Sequence, residues 1–159
     1  MVVGIALASC SALPSGRFDW ESYRPTTLEE AQEKNALDIL GLPARGLVFN
    51  ATPQSFKYLF RLTSAGQTRP LSKGTRDFLV ELDSHVENSL SASLFSHEVL
   101  VREGTTEIWM PIQTSLLRHW TAEVTAGTSV DVRAVMVGWI DSNQIYVINA
   151  FTSLGPSDD

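Results

Sequence analysis

The chain has 159 residues, 43% of them apolar and 19% charged, and a formal net charge of −6. A chain of this size buries roughly two thirds of its unfolded surface in one core, so neither metal nor disulfide is needed to hold it together. Glycine, proline and charge near globular averages exclude collagen-like repeats, coiled coils and wholesale disorder, which leaves one mixed domain.

The chain begins with an apolar run, Met1-Val2-Val3-Gly4-Ile5-Ala6-Leu7-Ala8-Ser9-Cys10, that ends as an export signal ends. Cys10 is the only cysteine, so an intrachain disulfide is impossible. Leu7-Ala8-Ser9-Cys10 resembles the lipobox of bacterial lipoproteins, in which the cysteine is lipidated and becomes the mature N-terminus. The resemblance implies a truncated signal and tether over residues 1–16 and membrane contact through lipid on Cys10. It implies an address in the cell envelope, on the periplasmic side. Ser11-Ala12-Leu13-Pro14-Ser15-Gly16 has the small, punctuated composition of a flexible tether. Two other readings stay open. Ala6-Leu7-Ala8 also fits simple cleavage, which gives a secreted protein, and a buried N-terminal strand with an inert cysteine gives a cytoplasmic one. No other stretch approaches the ~18 apolar residues of a membrane-crossing helix.

Residues 17–26 show no clean period and read as an extended lead-in to a globular domain over 27–154. Thr27-Leu28-Glu29-Glu30 places a hydroxyl and a carboxylate where they can bond the free amides of a helix start. The helix is predicted to run to about Leu40, with Leu28, Ala36, Ile39 and Leu40 on one face and Gly41 and Pro43 as its stop. Phe56, Tyr58, Phe60 and Leu62 alternate with Lys57, Leu59, Arg61 and Thr63, which predicts a half-buried strand with the aromatics inside and the bases outside. Gly66 to Gly74 reads as a loop. Asp77 to Val86 fits both periods, and helix is preferred. Leu94–Arg102 and Thr106–Ile112 read as a hairpin turning at Glu103-Gly104-Thr105. Gln113–Val124 follows as a helix with Leu116, Leu117, Trp120 and Val124 on one stripe. Val130–Ile140 and Gln144–Phe151 are the strongest strands, and residues 155–159 read as a disordered tail. Strand, hairpin, short helix and two long strands is similar, by element order, to the five-stranded OB barrel. The expected class is α+β: a small antiparallel β-barrel or strongly curved sheet, OB-like, with two or three helices.

Charge is the sharpest irregularity. Between Asp38 and Asp77 no acidic residue occurs, while Arg45, Lys57, Arg61, Arg69, Lys73 and Arg76 supply six positive charges. These six are the candidate anionic-ligand residues, for a solvated face, an acidic envelope polymer or lipid headgroup, or single-stranded nucleic acid. The period-two pattern disfavours nucleic acid, because it turns the strand's aromatics into the core. Trp109, Trp120 and Trp139 read first as core. Trp109 and Trp139, beside strand ends or turns, are the groove candidates, where a ring can stack on a sugar or peptide.

Asp83, His85 and Glu87 share a face on a strand and would suit a divalent ion, but on a helix His85 turns away from the other two. That trio is the basis of an alternative function, a metal-dependent enzyme. His97-Glu98 and His119 lack metal-ligand spacing, and no HExxH, GxSxG or SxxK occurs. Gly66 to Thr75 lacks the glycine that must precede a phosphate-loop lysine, and Asn50-Ala51-Thr52 is a sequon followed by Pro53. The expected function is a lipid-anchored, non-enzymatic binding or assembly module of the cell envelope. Its partner is an envelope component or another protein, no cofactor is called for, and an OB-like nucleic-acid-binding domain using residues 45–76 is the further alternative.

Overall fold

In the computed structural model, which describes residues 19–36, 40–41, 45–50, 53–85 and 91–156, the alternating run at Lys57 opens a long strand. Cys10, the tether and Glu87 lie outside the described residues. The strands are β1 (Arg24–Pro25), β2 (Leu47–Phe49), β3 (Lys57–Pro70), β4 (Phe95–Glu103), β5 (Thr106–Gln113), β6 (Thr128–Ile140) and β7 (Asn143–Pro156). The helices are α1 (Leu28–Lys34), α2 (Lys73–His85) and α3 (Thr114–Glu123).

Phe60 and Leu62 are buried, Tyr58 packs beside them, and Arg61 is exposed, as the alternation requires. The predicted loop from Gly66 is corrected: β3 continues to Pro70, and α2 starts at Lys73. The reason is a bulge. The register against β4 shifts between Ser64 and Gln67, with Gly66 at φ 73°, and extra residues on one strand bend and twist it. One strand thereby serves two partners, β6 along Lys57–Thr63 and β4 along Thr63–Pro70.

The sheet order is β1-β3-β4-β5-β7-β6-β2, and the extra β3–β6 pairing closes the five middle strands into a barrel. All its pairings are antiparallel except β5 with β7, which meet in parallel at Ile112 and Ile148. Gly104, at φ 57°, makes the β4–β5 turn, and Asp141, at φ 49°, lies in the β6–β7 turn. Counted from β3, the barrel closes in the order 1-2-3-5-4 with a helix between the third and fourth strands, the OB connectivity.

Two helices seal the ends. α3 sends Leu116 and Trp120 into the interior, followed by Val124. α1 sends Leu28 and Ala31 inward, and the Leu28 amide donates to Glu103 Oε2 at 2.7 Å. Thr27 caps α1 as expected, accepting from the Glu30 amide at 3.1 Å. The helix stops at Lys34, short of the predicted Leu40, because Asn35 is committed elsewhere. Its side chain donates to Tyr58 Oη at 2.9 Å, and its carbonyl accepts from Trp139 Nε1 at 2.9 Å. Outside the barrel, α2 lays Phe78, Leu79 and Leu82 over Val135, Val137 and Val147, a second apolar layer. The lead-in is one 3₁₀ turn (Trp20–Ser22) and a short strand parallel to β3, and Gly155 and Pro156 belong to β7 and not to a tail.

Tyr146 crosses the interior edge-on to Phe60, centroids 5.4 Å apart, and donates to Gln144 Oε1. Burial pushes its phenol well above the usual tyrosine range. In the unfolded chain this group ionises near about pH 10. Folded, it stays neutral, so its stabilising contribution is complete below that pH and is lost as pH rises above it. Tyr146→Phe is expected to flatten the alkaline fall in stability, read by urea unfolding at about pH 8 and about pH 11. Equal slopes in both proteins would refute this.

Candidate functional site

Among the described residues the barrel interior is packed with apolar side chains and both mouths carry helices, so the accessible candidate surface is the outer one. Register fixes what shares that surface. Past the bulge, Gln67, Leu100 and Trp109 form one row across β3, β4 and β5, and Arg69, Glu98 and Pro111 form the next. Without the shift after Ser64, Arg69 would not stand opposite Glu98.

In that second row Arg69 Nε donates to Glu98 Oε1 at 2.6 Å, and its guanidinium carbon lies 3.8 Å from the centre of the Trp109 ring. Glu98 is 1% exposed and also accepts from the Ser72 amide at 3.3 Å. The guanidinium is therefore clamped by a buried carboxylate on one side and an aromatic face on the other. Its terminal nitrogens have no acceptor among the described residues. A guanidinium held in this way presents a fixed fork to a carboxylate or phosphate.

The other predicted bases do not join it. Lys57 and Arg61 lie on the outer face of β3 against β6, where Arg61 pairs with both oxygens of Asp131 at 2.9 and 3.1 Å. That pairing holds the Arg61 guanidinium above its ordinary pKa. Lys57 donates to Ser22 Oγ at 3.2 Å over the Tyr23 ring. Lys73 pairs with Asp77 along α2 at 2.5 Å. Arg76 borders a shallow groove of about 410 Å³ between α2 and the start of β4, lined by Leu71, Leu79 and Phe95. Arg45 is exposed just before β2. One basic run in sequence thus becomes several separate surfaces.

Sequence reasoning missed Arg133, Trp20 and Tyr23. Arg133 faces outward from β6 opposite Leu59, with its guanidinium carbon 4.3 Å from the centre of the Trp20 ring. Tyr23 is buried, and its hydroxyl accepts from Asn149 Nδ2 at 3.2 Å, which ties the lead-in to β7. The alternation Val130-Asp131-Val132-Arg133-Ala134 already marked Arg133 as outward. The two aromatics carried no periodic signal.

Trp139 keeps its first reading as core and not the groove alternative: it is 3% exposed and belongs to the inner core, as Trp120 does. Asp83 and His85 end α2, the helix preferred from the sequence, so the strand face that the metal alternative needed does not form among the described residues, and Glu87 lies outside them. The His85 ring stacks on Phe49 with centroids 5.2 Å apart. Among the described residues no three of His, Cys, Asp and Glu group as metal ligands. Asn50 is buried and donates to the Met136 carbonyl at 2.8 Å, so the sequon is closed to modification.

Comparison of the chain with protein-family models, with curated proteins and with solved structures gave no match in any of the three. The connectivity alone defines the class, a closed α+β barrel of OB-like order. Barrels of that order bind oligonucleotides and oligosaccharides over the face of their second and third strands, here β4 and β5. The Arg69–Glu98–Trp109 unit stands on that face.

Proposed function

We propose that the protein is a non-enzymatic binding module of the bacterial cell envelope, lipid-anchored at Cys10, that holds an acidic envelope polymer on the outer face of β3, β4 and β5. The supporting observation is the clamped Arg69 guanidinium, with free terminal nitrogens beside Trp109. A side chain ordered before binding loses little entropy on contact, which suits recognition of an anion. Support for the address comes from Leu7-Ala8-Ser9-Cys10. Among the described residues no helix is long and apolar enough to cross a membrane.

Two measurements test this. Soluble peptidoglycan fragments carrying free stem-peptide carboxylates are titrated into the protein by calorimetry, against Arg69→Lys. The lysine keeps the charge but loses the planar fork and the stack, so affinity is expected to fall about tenfold or more. No binding, or equal binding by the variant, removes the proposal. Binding of single-stranded oligonucleotides that collapses with added salt would move the reading to nucleic acid. Separately, Cys10→Ser is expected to release the protein from the membrane fraction and abolish lipid labelling, and an unchanged distribution would remove the tether.

A further inference from the structure

Arg133 carries buried side-chain donors that stand without a partner among the described residues. Its Nε and Nη1 are shielded from solvent and have no hydrogen-bond partner. Its cross-strand neighbours, Leu59 and Ala150, are apolar and offer no side-chain acceptor. The nearby carboxylate, Asp131, favours the Arg133 charge but gives its hydrogen bonds to Arg61 Nε and Nη2. A guanidinium does not shed its proton to escape burial, so the charge persists. Shielded donors without acceptors cost stability. Such donors are ordinarily met by strain, an ordered water or an ion, and an anion answers both the missing acceptors and the charge.

We propose that Arg133, with Lys57 beside it and Trp20 as its cover, is a binding site for a single phosphate group on the outer face of β3 and β6. Lys57 stands two positions from Leu59, the residue opposite Arg133, on the same face, and adds a second cation. Trp20 belongs to a three-residue 3₁₀ turn with no buried residue, and displacement of its ring opens the guanidinium. Arg61 stays with Asp131 and tops the same face. The site is separate from the Arg69 clamp and does not depend on it.

The phosphate has two sources, free in solution or on a lipid, and the test distinguishes them. In the first arm inorganic phosphate is titrated against chloride at matched ionic strength, while NMR follows the Arg133 Nε–H and the Trp20 indole N–H. In the second arm the full chain is sedimented with phosphatidylglycerol vesicles, with neutral phosphatidylcholine vesicles as the control. A saturable shift in the first arm supports a soluble phosphate. A response confined to phosphatidylglycerol supports a headgroup. Arg133→Met is expected to abolish either response while leaving the melting temperature unchanged or higher, because a poorly compensated charge has been replaced by a chain of similar shape. Asp131→Asn, which removes the competing carboxylate, is expected to tighten binding several-fold. Silence in both arms, or a response that survives Arg133→Met, overturns the proposal.

Discussion

Gly138→Ala is expected to destabilise the protein by about 4 kcal/mol, near the upper end for a single added methyl. Gly138 lies in β6 opposite Phe49, at φ 150° and beside a register shift against β7. A Cβ there would stand 2.2 Å from the Val48 carbonyl oxygen and 2.8 Å from Phe78 Cζ. Neither neighbour can yield: one is backbone paired in β2, and the other is a ring with no exposure beneath α2. Backbone strain costs about 1 to 3 kcal/mol and overpacking a similar amount, and here both apply. Gly155→Ala is the control. Gly155 also has positive φ, 95°, but nothing lies within 4 Å of the added carbon, so only the conformational cost of about 1 to 2 kcal/mol applies. Urea unfolding of the two variants decides the matter, and equal losses would show that the contacts at Gly138 do not matter.

The second large effect is expected at the clamp. Arg69→Met leaves Glu98 buried without its cation. Breaking a fully buried pair costs roughly 3 to 5 kcal/mol, and the 46% exposure of the Arg69 side chain lowers the expected loss to about 2 to 3 kcal/mol. Glu98→Met should cost less, because the freed guanidinium can turn to water. The double variant should lie close to the native protein, since an apolar pair removes the stranded charge altogether. A coupling of at least about 2 to 3 kcal/mol in this cycle would establish that the two side chains act as a unit, and simple additivity would show that they do not.

Much of this architecture was legible because it is written in local alternation. The run Phe56 to Leu62, the stripe of Leu116, Trp120 and Val124, and the two C-terminal strands carry their burial pattern in their own spacing. What escaped was set by distant partners. Gly66 and Pro70 punctuate like a loop, yet a strand that must leave β6 and meet β4 needs a bulge at that point. Trp139 reads first as core, and the groove alternative fails for a related reason. The shift between Met136 and Gly138 changes parity and turns the ring into the core. The candidate face was half visible. Arg69 and Trp109 were both singled out, but nothing local tells that they meet in the fold or that Glu98 holds the guanidinium there. The basic run misled in another way, because nearness along the chain scattered onto separate surfaces once β3 curved and α2 folded back.

The double allegiance of β3 also shapes the order of events as the chain folds. Its second half meets β4 early, but its first half waits for β6, some seventy positions downstream, and such long closures are slow. During that wait Tyr58, Leu59, Phe60 and Leu62 form a short sticky stretch with an open edge, the sort of segment that seeds aggregates. Lys57 and Arg61 interrupt it on alternate positions, as gatekeepers do in unavoidable hydrophobic strands. The same two bases that dress the finished barrel guard the nascent one, so neutralising both should show first as inclusion bodies at high expression, before any loss of equilibrium stability.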